Sequence, residues 1–490
     1  MQPAVRWLDR LLVAVLTVLY LSFLVSSVFS RRDWNDTIAY GLPGANLVVR
    51  GALTLPQLGS QFAFDRYWLF NAPFTVLGDV PWFLVGGVGR IPYLLGIVVI
   101  GALNLIVFTI VCRRLLHLAS LALAMLVAFA FLGTRGVVVS HLYNQTYAVA
   151  TAGLLLLVFA PLGNRSTVRG RRWWQWLAAS LLPMVHLVLA PMAIVWLLTA
   201  AIDWYREKAT SPHAARRSIA GPIAFAIGAA ANLAWYGRVT PFMTQLWPHI
   251  HYGGFRLVGP LSGFLDTAAS PIASVPTWIL HGLVVCAAIV IVGTAARGRR
   301  HRQQAAALPA ALAIVVLLPL DLWRGFLYYA YVLVGVGPAL LAAATTTQLR
   351  RGALVGLVLI AIANMGLSSR LDRYPPDWTT TAAGDRFLVE HTRAGDRIVL
   401  APPFVFTAAT AAPTRDVRRI VPQPYFLETF DRAAWIRDLN ACCDVYLGRE
   451  EFLREPVTRR PPGDPFFSDA SIEHLEFRGE PVIVARRRAP

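Results

Sequence analysis

Carboxylates are nearly missing from three-quarters of this chain. Residues 1–369 hold only nine of its 27 Asp and Glu residues, and charged residues make up 15% of the whole. A chain of 490 residues with so little charge and 56% hydrophobic content is not a soluble protein. Cysteine is scarce too. Cys112 and Cys286 lie in or beside apolar stretches, and Cys442 and Cys443 are neighbours, which rarely bridge without strain. With no metal-type spacing among them, all four read as structural. There is no internal repeat and no low-complexity linker.

What the chain has instead is long apolar runs. They recur at 11–29, 91–111, 118–132, 148–160, 219–235, 278–294, 305–320, 327–344 and 353–367. Many are long enough to cross roughly 30 Å of hydrocarbon as a helix. They lack the alternation of a membrane barrel, so the spans are helical. The first has no small-residue cleavage site before the charged loop that follows, and is expected to be a retained helix. The net charge of +18 lies entirely in this apolar part: residues 370–490 balance 18 Arg against 18 Asp plus Glu. The excess gathers in short loops at 113–114, 165–172, 206–217, 297–302 and 350–351, which is the positive-inside pattern. No nucleic-acid partner is implied.

Placing the N-terminus and every basic loop in the cytoplasm fixes the topology by parity. The stretch 173–205 must then cross twice, as two short helices meeting outside near His186, between Pro183 and Pro191. The expected fold is an α-helical polytopic membrane protein of about eleven transmembrane helices. It divides into a membrane module at 1–369, with a first external loop at 30–90, and a small extracytoplasmic α/β domain at 370–490. In that domain helices are expected at 385–392 and 431–439, strands at 397–401 and 443–447, and a hairpin at 473–477 and 482–486.

Four of the nine scarce carboxylates (Asp33, Asp36, Asp65 and Asp79) fall in the first external loop, among Trp34, Tyr40, Tyr67 and Trp68. A carboxylate on the outer face beside rings that stack on a sugar suits a general base for an acceptor hydroxyl. It suits equally a ligand of a divalent cation, Mg or Mn, beside a phosphate. The plainer reading makes Asp33 an interfacial charge and Asp36 a helix cap. Asp65-Arg66 fits a surface pair and Asp79 a turn before a helix. Arg324, with Tyr328, Tyr329 and Tyr331, offers planar and hydroxyl donors for a lipid phosphate, or forms an interfacial anchor belt. His249, His251 and Arg256 in the loop at 237–275, Arg135 and His141 between two spans, and His186 are further candidates for contacting phosphate or sugar. Each also fits a satisfied interfacial group.

This arrangement resembles the GT-C superfamily of polyprenyl-phosphate-dependent glycosyltransferases, which includes protein mannosyltransferases and the lipid A aminoarabinose transferase. The resemblance covers nearly the whole chain as architecture. That family shows an acidic pair at the start of the first loop, then a tyrosine and a Gly-ended amphipathic helix. Here Asn35-Asp36, Tyr40 and Arg50-Gly51 take those places, and Arg324 through Tyr331 is similar to the family's late Arg-Tyr signature. The resemblance implies a multi-pass protein of the bacterial inner membrane. It implies inverting transfer from a polyprenyl-phosphate sugar donor to a lipid, glycan or protein acceptor, with Asp36 as base and Arg324 steadying the departing phosphate. Asn35 in place of the first acid leaves two options: Asp33 supplies a second carboxylate, or one carboxylate is used.

Two other classes compete. A transporter or flippase of a lipid-linked substrate is expected to show inverted halves and ionisable groups within spans, and neither stands out. A non-catalytic scaffold would tolerate replacement of Asp36.

Overall fold

The computed structural model describes residues 3–30, 38, 41–58, 72–134, 146–160, 173–186, 189–210, 219–237, 275–297, 304, 307–316, 328–344, 347–368, 378–410, 415–421, 432–453, 467 and 470–487. Each expected span coincides with a helix. The longest apolar ones are Pro3–Phe29, Arg90–Leu115 and Val275–Ala296. These three are long and apolar enough to cross a membrane, and shorter apolar helices accompany them at 121–132, 150–159, 190–202, 307–316, 332–344 and 351–364. The break expected near His186 is present. Helix Trp173–Val185 ends there and helix Ala190–Thr210 begins just after. His186 N–H donates to the Leu182 carbonyl (3.2 Å), and Leu189 N–H to the His186 carbonyl (2.9 Å). Pro183 is carried inside the first of these helices.

The chain forms two compact units, one of residues 1–28, 97–235 and 257–373, the other of 29–96, 236–256 and 374–490. In the first unit helices approach closely through glycine, the usual device where apolar lipid gives no hydrophobic drive between helices. A Cβ at Gly335 in helix Tyr328–Ala344 would lie 2.7 Å from Leu155 Cβ and 2.9 Å from the Ala152 carbonyl of helix Thr146–Phe159. One scarce carboxylate also finds its use here. Ser120, the N-cap of helix Leu121–Leu132, accepts from Leu123 N–H (3.0 Å) and donates to Asp9 (2.5 Å). Asp9 accepts as well from the Leu121 and Ala122 amides, at 3.2 Å each. A carboxylate facing a helix N-terminus satisfies orphan amides and opposes the positive end of the helix dipole.

In the second unit, the C-terminal part folds around a five-stranded sheet in the order β2-β1-β3-β5-β4. Strand β1 (Arg397–Leu400) runs parallel to β2 (Asp416–Ile420) and β3 (Val445–Gly448). β3 pairs antiparallel with β5 (Glu480–Arg487), which closes a hairpin with β4 (Ala470–Phe477). Helices Thr381–His391 and Arg432–Cys442 stand where the sequence expects them. Val399, Ile436, Leu439, Tyr446, Phe452 and Ile483 form its core.

Strand β2 was not expected. Its sequence, Asp-Val-Arg-Arg-Ile, buries Val417 and Ile420 and turns its charges outward at the sheet edge. Three charged residues in five hide the alternation, and charge on an edge strand is a common guard against unwanted pairing. Cys442 and Cys443 also depart from expectation, since a disulfide joins them.

Candidate active site

The described residues of 38–86 are held by their own short helices and by the C-terminal domain, all within the second unit. Helix Leu42–Arg50 carries Pro near its start and ends at Gly51, whose φ of +70° is the left-handed conformation favoured by glycine; Gly51 N–H returns to the Leu47 carbonyl. This is the Gly-ended helix that the sequence pointed to after Asp36. Leu42 to Asn46 are buried on it. Ile38, two residues beyond Asp36, is 1% exposed. Asp79 precedes helix Val80–Gly86 as expected, and its backbone carbonyl accepts from Trp82 and Phe83 N–H. It is fully buried.

Two side chains that sequence reasoning missed hold this loop together. Asn46 Nδ2 donates to Gln57 Oε1 (3.0 Å) and to the Thr54 carbonyl (2.8 Å), while Gln57 Nε2 donates to Asn46 Oδ1 (3.0 Å). Gln57 Nε2 also reaches the Ala408 carbonyl of the C-terminal domain (3.3 Å), and Arg50 Nη2 meets the same oxygen at 3.4 Å. Asn and Gln in a polar loop carry no periodic signal, so nothing in the sequence marked them. Aromatic packing reinforces the contact. Phe406 lies 5.6 Å from Tyr93 and 5.7 Å from Phe83 between ring centroids, and a Cβ at Gly41 would come within 3.2 Å of Phe406 and Tyr93.

Of the candidate site residues, Asp33, Asp36, Tyr40, Arg135, His141, His249, His251, Arg256 and Arg324 lie outside the described residues. Tyr328 and Tyr329 open helix Tyr328–Ala344, with only their backbone described. His186 stands at the break between the two short helices, half-buried. Among the described residues no group of three or more His, Cys, Asp or Glu is arranged to hold a metal ion. A further ionisable group, overlooked in the sequence, is His281, whose Nε2 is buried without a hydrogen-bond partner in helix Val275–Ala296.

No protein-family model matches this chain, and no curated protein sequence matches it either. Solved structures do. The crystal structure of ArnT from Cupriavidus metallidurans bound to undecaprenyl phosphate aligns over 98% of this chain and 98% of its own, with a TM-score of 0.53 and 14% identity. The chain has the ArnT fold. That is a GT-C fold, so the architecture expected from the sequence stands: a polytopic helical membrane protein with a small C-terminal sheet domain. A second structure of ArnT from the same organism, in the apo state, covers 99% of this chain and 98% of its own at 14% identity and a TM-score of 0.39.

Proposed function

We propose that this protein is a membrane glycosyltransferase that moves a sugar from a polyprenyl-phosphate donor to a lipid, glycan or protein acceptor at the outer face of a bacterial inner membrane. One observation carries the reading: an end-to-end fold match with ArnT, whose crystal structure holds undecaprenyl phosphate. The scarcity of carboxylates supports it, because four of the nine in residues 1–369 fall in the stretch 30–90, which the sequence reading gives to acceptor chemistry.

In this reading Asp36 takes the proton of the acceptor hydroxyl. The oxygen attacks the anomeric carbon from the face opposite the phosphate, and the bond from that carbon to the phosphate oxygen breaks. Polyprenyl phosphate leaves with the electron pair, steadied by Arg324, and the anomeric configuration inverts. The negative charge passes from the carboxylate to the leaving phosphate, so a guanidinium at the phosphate stabilises the transition state more than the ground state. Asp33 provides a second carboxylate, or one suffices.

Purified wild-type protein is expected to release polyprenyl phosphate from at least one of a panel of polyprenyl-phosphate sugars, followed by mass spectrometry. Asp36→Asn, folded normally, is expected to lose about 10²-fold or more in rate, as loss of a general base should. A well-folded Asp36→Asn with full activity would move the base to Asp33. Transport of a lipid-linked substrate is the second reading, favoured by His281: an unsatisfied ionisable side chain inside an apolar helix is a frequent mark of a transport path. Flipping of a fluorescent polyprenyl-phosphate lipid in proteoliposomes, lost in His281→Leu and unaffected by Asp36→Asn, would replace the transferase reading.

A further inference from the structure

We propose that the C-terminal domain is the positioning element for the first-loop carboxylate, and that Gln57 is the positioning residue that couples them. The proposal rests on the reading of Asp36 as base. Asp36 is two residues from the buried Ile38 and six from Leu42, where the helix Leu42–Arg50 begins. Two residues of chain span at most about 7 Å, so whatever fixes Ile38 and this helix limits where the carboxylate can go.

What fixes the helix is the reciprocal Asn46–Gln57 amide pair. Both side chains are buried, at 0% and 1% exposure, and each of the four amide heavy atoms is engaged. A fully satisfied buried amide network has few alternative geometries, and an incompletely satisfied one is costly, so it specifies position as well as adding stability. The outer end of that network is the Ala408 carbonyl. Ala408 lies in the short helix Thr407–Thr410 between β1 and β2, and Phe406, just before it, packs on Phe83 of the loop and on Tyr93 at the start of helix Arg90–Leu115. The turn Pro56–Leu58 in addition lies against β2. The sheet domain therefore holds the loop at three places: an amide at Ala408, a ring at Phe406 and a strand edge at β2. A domain that served only as an appendage would have no reason to place its first β–α connection on the amide pair that pins the helix following the candidate base in sequence.

The experiment uses the full-length protein in lipid nanodiscs. Gln57→Leu keeps much of the side-chain volume and removes every polar partner. It is expected to lower kcat by about 10- to 100-fold, the scale of an ångström-level misplacement of a catalytic group, with the KM for the lipid donor changed less than about twofold. Hydrogen exchange over 41–58 and over 404–410 should rise together, because the two segments share the bond. Gln57→Glu loses the donors to the Ala408 carbonyl and to Asn46 Oδ1, keeps the acceptor for Asn46 Nδ2 and buries a carboxyl group against that carbonyl, so it should lower kcat at least as far as Gln57→Leu. If Gln57→Leu does not fold, Phe406→Leu tests the same coupling through the ring contact, with the same expected split of kcat from KM. Unchanged kcat in a folded variant whose exchange over 41–58 has risen overturns the proposal alone. So does faster exchange at 41–58 with none at 404–410. Absence of turnover by the wild type on every donor overturns the base assignment beneath it, whatever the exchange shows.

Discussion

The helical unit and the C-terminal domain hide polar groups by different means. In the first, side-chain amides and indoles donate to backbone carbonyls of neighbouring helices. Gln175 Nε2 reaches the carbonyls of Leu157 (3.1 Å), Val158 (3.3 Å) and Ala160 (3.0 Å), and Trp196 Nε1 also donates to Val158 (3.1 Å). Asn364 donates to Ala130 (3.2 Å), and Asn232 to Ser180 (2.7 Å). In the C-terminal domain Arg pairs with Asp or Glu instead: Arg397 with Asp444, Arg419 with Asp438, Arg449 with Glu480 and Arg486 with Asp396, at 2.6 to 2.7 Å. The solvent explains the difference. A neutral amide can be placed among apolar helices for a modest cost, whereas a charge there is expensive. Beside water a charge is cheap to bring in. The division by sequence composition at residue 369 follows this same line.

The sharpest way to break that contrast is to remove a charge where the domain has buried one. Arg449 is 4% exposed at its side chain and Glu480 13%, with Arg449 Nε 2.7 Å from the carboxylate. Arg449→Met takes its guanidinium partner from the mostly buried Glu480 carboxylate, and is expected to cost about 3 kcal/mol. Arg449 Nη1 and Nη2 are buried and lack hydrogen-bond partners, though Glu451 lies 3.6 Å from Nη1. The pair is therefore incompletely repaid, and the double variant Arg449→Met, Glu480→Met should recover most of the loss. Denaturant unfolding followed by hydrogen exchange over β3 and β5 measures both. A double variant as unstable as the single would show that the ion pair itself stabilises the fold.

The matching substitution in the helical unit should be milder. Leu157, Val158 and Ala160 lie in and just past the last turn of helix Thr146–Phe159, where carbonyls lack intrahelical donors. Gln175 fills that need from the following helix. Gln175→Leu is expected to cost about 1 kcal/mol, near the upper part of the range for side-chain hydrogen bonds between membrane helices, with Trp196 still serving Val158. Thermal inactivation in detergent would show it. A loss as large as that of Arg449→Met would erase the distinction between the two units.

The same contrast decides what the sequence could reveal. Apolar runs are a signal of composition, and every one became a helix, including the short pair that breaks at His186. The hairpin and the strands β1 and β3 were legible because their apolar residues come in runs or alternate. β2 was not, because three of its five residues are charged. The Gly-ended helix after Asp36 was visible as an amphipathic stretch with Arg50-Gly51 at its end. The Asn46–Gln57 pair was invisible: a polar contact across eleven residues and out to Ala408 leaves no period in the chain. His281 was missed for the opposite reason, since one His in a run of apolar residues barely changes its average. The scarcity of carboxylates drew attention to the first loop and passed over Asp9, which faces the start of helix Leu121–Leu132.

The smallest expected effect separates carboxylates inside the C-terminal domain. Asp444 is held below its ordinary range by the hydrogen bond and charge of Arg397, whereas Asp385 is pushed above 3.8 by burial, against the bond donated by Thr410 at 3.0 Å. The signs oppose. Asp444 contributes stability above its unfolded pKa and loses it as pH falls through its lower folded value. Asp385 binds its proton more tightly in the folded state, so its contribution falls as pH rises from 3.8 through its folded value and stays unfavourable above that. Asp385→Asn keeps an oxygen for Thr410 and removes the desolvated charge. It is expected to stabilise the domain at pH 7 by on the order of 0.5 kcal/mol, within the usual range for substitutions away from the core. The gain should vanish in acid, where wild-type Asp385 is itself neutral. Unfolding midpoints of both proteins at pH 7 and pH 3.5 give the comparison. A gain that persists at the lower pH would mean that packing, and not the buried charge, sets the difference.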